Sequence, residues 1–160
     1  MKKVAFIIVP LIFLIMASDI VFNPPASAQS AEKAASAQAA LPFSPAVRTA
    51  GLIFVSGHIG TDPQTGKLVG EDIVSQTRQT LENIDALLKK DYRSSLKGVV
   101  KTTVFLKSMD DYAEMNAVYA SFFPGRKPAR STVEVSRLAR GALIEIDAIV
   151  ETTGFLPVKQ

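Results

Sequence analysis

The chain has 160 residues, 48% hydrophobic and 21% charged, which suits one globular domain with some length to spare. It has no cysteine and one histidine, so disulfides, thiol catalysis, thiolate metal sites and a histidine-built metal cluster are excluded. The formal net charge of +3 comes without a Lys/Arg block of the kind that tracks a phosphate backbone, so no nucleic-acid partner is expected.

The N-terminus reads "MKKVAFIIVPLIFLIMASDIVFNPPASAQS". Lys2 and Lys3 form a charged start, Val4 to Ala17 is an apolar run interrupted by Pro10, and Ala26-Ser27-Ala28 is a small-x-small cleavage site. That is the layout of a secretory signal peptide over residues 1–28. The run is shorter than the roughly 20 residues a spanning helix needs, so no stable membrane anchor is expected after cleavage. The mature protein is expected in the periplasm or outside the cell. Loss of Lys2, Lys3 and Asp19 with the leader takes the net charge from +3 to +2. Residues 29–40, "QSAEKAASAQAA", form an Ala-rich linker with no large apolar side chain to bury. The folded domain is expected over residues 41–160.

Ala46 to Thr49 and Leu52 to Ser56 are predicted strands around a tight turn at Ala50-Gly51. "SGHIGTDPQTGKLVG" follows as a loop, marked by Asp62-Pro63 and Thr65-Gly66. Asp72 to Lys90 is a predicted helix, with Ile73, Thr77, Thr80, Leu81, Ile84, Leu87 and Leu88 at helical spacing. Val99 to Leu106 is β-branched and aromatic and predicts a strand. Ser108 with Asp111 resembles a capping box that opens a helix over Asp110 to Phe123, ended by Pro124-Gly125. Ser131 to Val135 and Leu143 to Thr152 are the last two strands. The order β-β-α-β-α-β-β gives an α+β fold, a two-layer sandwich with both helices on one face of a mixed sheet. In the last strand Ile144, Ile146, Ala148 and Val150 point under the helices, and Leu143, Glu145, Asp147 and Ile149 point away. That half-apolar second face suggests subunit packing.

The polar residues suited to chemistry are few. Arg130 shares one strand face with Thr132 and Glu134. Its planar fork suits either a bidentate grip on a ligand carboxylate or an ordinary salt bridge. Glu145, expected on a neighbouring strand, could relay a proton. Asn116 lies in line with Tyr112, Tyr119 and Phe123, where its amide must find hydrogen bonds. His58 alone makes neither a triad nor a zinc site.

"PARSTVEVSRLARGALIEIDAIV", "VVKTTVFLKSMDDYAEMNAVYASFF" and "FVSGHIGTDPQTGKLVGEDIVSQTRQTLENI" resemble segments of the RidA/YjgF family of reactive intermediate deaminases. The likeness runs from about Leu41 to Val150 in three segments in order, which makes it specific. It implies a chorismate-mutase-like homotrimer with clefts between subunits. It implies hydrolysis of 2-imino acids, such as 2-iminopropanoate and 2-iminobutanoate, and their enamine tautomers to 2-keto acids and ammonia, with no cofactor and no metal. It places the carboxylate-binding arginine at Arg130 and the water-positioning glutamate at Glu145. Gly57 matches the glycine whose backbone lines the pocket, and Asn116 the asparagine of the second helix. Non-catalytic binding of a small carboxylate, protein interaction and ribonuclease activity are the alternatives on the same fold.

The chain departs from the family pattern at several places. Phe43 stands for a frequent Tyr, Thr132 for a frequent Cys, His58 for the usual Gln, and Gly60 and Ala139 for Pro. Phe43, Thr132 and His58 are expected to line the pocket and set substrate preference, His58 as a modulator at the rim rather than a base.

Overall fold

The computed structural model describes Pro25 and residues 42–152. The signal peptide and linker expected over residues 1–40, Pro25 apart, lie outside the described residues.

Strand β1 (Ala46–Thr49) turns at Ala50-Gly51 into β2 (Leu52–Ile59). Both turn residues have positive φ, 40° and 85°, as a two-residue hairpin turn requires. Helix α1 (Ile73–Tyr92) follows a loop, and a 3-10 turn leads into β3 (Val99–Leu106). A second 3-10 turn (Met109–Asp111) precedes helix α2 (Tyr112–Phe122). Strands β4 (Ala129–Glu134) and β5 (Ile144–Glu151) complete the chain order. The expected order and layers therefore hold.

Local chemistry sets the element ends. Asp72 is the N-cap of α1 and accepts from the Ser75 amide at 2.7 Å, which holds its carboxyl below the ordinary range. Ser108 caps as expected, but on the Asp110 amide at 3.1 Å, so it opens the 3-10 turn rather than the α-helix. β2 runs three residues past the predicted Ser56, because its end pairs with β5.

The sheet order is β1-β2-β5-β3-β4. β5 is the central strand, antiparallel to both β2 and β3. β4 lies parallel to β3, joined by the crossover through α2. Both helices cover one face. Leu81, Ile84 and Leu88 of α1 and Met115 of α2 are fully buried with Ile53, Val104, Leu106, Ile144, Ile146 and Val150 of the sheet. Each such side chain contributes about 1.5–3 kcal/mol of burial. Among the described residues no helix covers the other face. It carries Val47 (54% exposed), Phe54 (43%) and Val133 (42%) among Glu145, Asp147 and Lys101.

Candidate active site

Arg130 is the second residue of β4 and pairs with Thr102 of β3, which is buried under the helices. Partners in register share a face, so Arg130 points toward α2. There it meets Tyr112, Met115, Asn116 and Tyr119, which fall on one helical stripe. Arg130 Nη2 donates to Asn116 Oδ1 at 2.6 Å and to the Tyr112 hydroxyl at 3.3 Å. The guanidinium carbon lies 4.6 Å from the Tyr119 ring centroid and 5.7 Å from that of Tyr112. Tyr119 is anchored in turn by a 2.7 Å hydrogen bond with Thr102 Oγ1.

These contacts hold the fork flat without neutralising it. Among the described residues Nη1 meets only the thioether sulfur of Met115, at 4.0 Å. Among the described residues the ion pairs are Lys89–Asp85 and Arg126–Glu151, and neither involves Arg130. Glu134, on the same strand face, accepts instead from the Met109 amide at 2.8 Å. The Tyr112 hydroxyl has a lowered pKa, through its hydrogen bonds with Asn116 and Arg130 and the Arg130 charge. Burial raises that of Tyr119. Thr132, two residues along on the Arg130 side, has a buried hydroxyl with no hydrogen-bond partner among the described residues.

A second group forms where β2 meets β5. Val55 pairs with Ala148 but His58 with Ile146, so β2 carries one extra residue, a bulge at Ser56-Gly57. The Glu145 side chain lies against Gly57. A Cβ built on Gly57 would sit 1.9 Å from Glu145 Oε1 and 2.8 Å from its carboxyl carbon. Only glycine leaves room for the carboxylate here. Burial raises the Glu145 pKa, the Asp147 charge raises it further, and His58 pulls it back. Asp147 Oδ1 accepts from the Thr103 amide at 2.9 Å. His58 Nδ1 lies 2.7 Å from the Ser56 carbonyl oxygen. The Ser56 hydroxyl and amide reach the Ser44 and Pro45 carbonyls at 2.7 and 3.0 Å, which lays the segment after Phe43 beside the bulge. Phe43 itself is 55% exposed.

Arg130, Asn116 and Thr132 thus gather under α2, and Gly57 and Glu145 gather at the bulge on the open face, while His58, in register with the buried Ile146, falls on the helix side of the same bulge. Within one chain the two groups do not meet. Glu145 pairs with Phe105 on the face away from the helices, whereas Arg130 is on the helix side. The expectation that Glu145 lies on a strand next to that of Arg130 is corrected: β3 stands between β4 and β5. At ordinary strand spacing β4 and β5 lie about 10 Å apart, and Arg130 is level with Ala148, three residues along β5 from Glu145, before the opposite facing is counted. Sequence reasoning saw Tyr112 and Tyr119 as a stripe through Asn116 but did not assign them to Arg130. It placed Asp147 only on the outward face, and it passed over Ser56. The i, i+4, i+7 spacing of the two tyrosines about Asn116 was the available signal for a cation seat. Among the described residues no three His, Asp or Glu side chains converge as a metal site.

The family description "Endoribonuclease L-PSP" matches residues 33–152. A RutC family protein of Pyrococcus horikoshii is 52% identical over 108 residues, 68% of this chain and 85% of that protein. The 2-iminobutanoate/2-iminopropanoate deaminase of Mus musculus is 39% identical over 115 residues, 72% of this chain and 84% of that one. The crystal structure of E. coli TdcF with bound serine superposes with a TM-score of 0.67 at 34% identity, covering 71% of this chain and 90% of TdcF.

Proposed function

Because the chain belongs to the endoribonuclease L-PSP family, also called YjgF/RidA, we propose that it hydrolyses 2-imino acids to 2-keto acids and ammonia. Small aliphatic substrates such as 2-iminopropanoate and 2-iminobutanoate suit so compact a polar set, and the similarity to the mouse deaminase supports that class. The observation that carries the reading is the Arg130 fork, held by Asn116 Oδ1 at 2.6 Å and the Tyr119 ring, with no carboxylate paired to it among the described residues. Such a fork is a seat for a ligand carboxylate.

Arg130 and Glu145 face opposite sides of their sheet, so we place the site between protomers of a homotrimer. One protomer contributes Arg130, with Asn116 behind it and Thr132 beside it. The next contributes Glu145, Gly57 and Phe43. The exposed Phe54, Val47 and Val133 on the open face supply apolar surface for that packing.

The chemistry asks little of the protein. The imine carbon is already electrophilic. Arg130 fixes the substrate carboxylate and thereby the position of C2. Water held by Glu145 adds to C2 as the C=N π pair moves to nitrogen, which takes a proton. The carbinolamine then loses nitrogen as ammonia while its hydroxyl loses a proton to form the keto group. Glu145, whose pKa is raised by burial, is suited to both accept and return a proton. The signal-peptide layout favours action outside the cytoplasm, on imines formed there by amino-acid oxidation.

Binding without turnover is the second reading, favoured by the amino acid bound to TdcF. Ammonia and keto-acid release from freshly generated 2-iminopropanoate, measured against the spontaneous rate, separates the two. Acceleration by the protein and none by Arg130→Ala supports the deaminase. Tight binding of small carboxylates with no acceleration across the imino acids supports the binding module.

A further inference from the structure

We propose that Tyr112 is the second donor of the carboxylate seat: its hydroxyl hydrogen meets the ligand carboxylate beside Arg130 and selects for ligands that carry one. The inference rests on the carboxylate seat of the proposed function and deepens it, and it does not require turnover.

The donor count at Arg130 leads there. A guanidinium grips a carboxylate at two points either through Nη1 and Nη2 or through Nε and Nη2, so both modes use an Nη2 hydrogen. Nη2 has two hydrogens. One goes to Asn116 Oδ1 at 2.6 Å and the other to the Tyr112 hydroxyl oxygen at 3.3 Å. Among the described residues Nη1 has only the Met115 sulfur at 4.0 Å. A carboxylate that reaches this fork therefore finds hydrogens at Nη1 for one oxygen, and a tyrosine where the donor for its other oxygen is needed.

The Tyr112 hydroxyl is made to supply that donor. Arg130 has no acceptor, so the phenol oxygen accepts in their contact and its own hydrogen points away from the guanidinium. Asn116 lies one turn along the same helix. Its Oδ1 is given to Arg130, which leaves the amide NH2, a donor, for Tyr112. Both neighbours lower the Tyr112 pKa, as donors to a phenol oxygen do, and a more acidic hydroxyl donates more strongly. The ring sits on the first residue of α2 and is 37% exposed, so a ligand can reach its hydroxyl.

The other polar groups near the fork are engaged or enclosed. Tyr119, the second phenol against the guanidinium, is buried, with its hydroxyl 2.7 Å from Thr102 Oγ1. Glu134 accepts from the Met109 amide at 2.8 Å. The Thr132 hydroxyl is enclosed two residues further along β4. The seat thus combines the charge of Arg130, presented at Nη1, with a neutral donor at Tyr112. One carboxylate oxygen takes each.

The test uses 2-oxobutanoate, the keto-acid product of the proposed reaction, which binds without turning over. Titration calorimetry on the mature protein compares the parent with Tyr112→Phe, which keeps the ring against Arg130 and removes the hydroxyl alone. With melting temperature unchanged, the variant should bind 2-oxobutanoate about ten-fold more weakly. Its KM for 2-iminobutanoate should rise by a similar factor, with kcat within about two-fold. Equal binding overturns the proposal. Tighter binding also overturns it, because it would mean that the hydroxyl merely occupies Nη2. A crystal structure of the parent with 2-oxobutanoate gives a reading that needs no variant and separates direct contact from an effect passed through Arg130. The Tyr112 oxygen should lie about 3 Å from a carboxylate oxygen, and a separation beyond hydrogen-bond reach overturns the proposal. Both results in a parent that does not accelerate imine hydrolysis would sustain this inference and sink the deaminase reading. A parent that neither binds 2-oxobutanoate nor accelerates hydrolysis overturns both.

Discussion

The Glu145 carboxylate occupies the space that a side chain at residue 57 would need: a Cβ on Gly57 would lie 1.9 Å from Glu145 Oε1. Glycine at the bulge is therefore a condition for where the carboxylate sits. Gly57→Ala should expel it and lower kcat for imine hydrolysis by about 100-fold. The surface location should limit the cost in stability to about 1–2 kcal/mol. In a Glu145→Gln background the same substitution should cost little further activity, a non-additivity that a double-mutant cycle measures directly.

Asn116 and Tyr119 position Arg130 rather than contacting substrate in the proposed site. Arg130→Lys keeps the charge but loses the planar fork, so KM should rise at least about ten-fold. Asn116→Ala removes the 2.6 Å acceptor and should raise KM by about three- to ten-fold, with a smaller change in kcat. Steady-state kinetics on 2-iminopropanoate separates these effects. A fall in kcat alone would show that the Arg130 environment acts in the chemical step instead.

A site shared between protomers predicts complementation. Arg130→Ala and Glu145→Gln proteins should each be inactive alone. Co-expressed in equal amounts, they should recover about a quarter of parental activity, because only sites that combine the intact Arg130 of one protomer with the intact Glu145 of the next can work. Phe54→Glu, on the exposed sheet face, should shift the protein to monomers in analytical ultracentrifugation and abolish turnover. Recovery near zero in the mixed protein, with trimers present, would place both residues' action within single chains.

The pH dependence follows from the environment of Glu145. Burial, and then the Asp147 charge, push its carboxyl above the ordinary glutamate range. Asp147→Asn removes the repulsive charge, so the acid limb of the kcat/KM profile should move to lower pH. Stability carries the matching signature. A raised carboxyl pKa gives the native state its full contribution below the ordinary glutamate value and loses it as pH rises through the raised value. Glu145→Gln should therefore melt with the parent in acid and above it at neutral pH. Parallel melting curves across that range would show that Glu145 titrates normally in the fold.

The amino-acid sequence by itself determined the local elements whose signals lie within a few residues. Alternation and β-branching marked β3 at its observed bounds, Val99–Leu106. The apolar period marked α1, and Ala50-Gly51 marked the hairpin, because backbone sterics decide those cases over short range. The resemblance of three segments carried the family and hence the candidate residues. Only the tertiary structure decided how those residues are grouped. Gly57 to Ile59 reads as loop because glycine favours turns, yet it is strand, since pairing with a partner almost ninety residues away in β5 outweighs local preference. The insertion of β3 between β4 and β5 separated Arg130 from Glu145, and the register of the three strands put them on opposite faces. Strand order and register are set by which apolar faces bury together across the whole chain, and the spacing of residues along it carries no direct record of that choice.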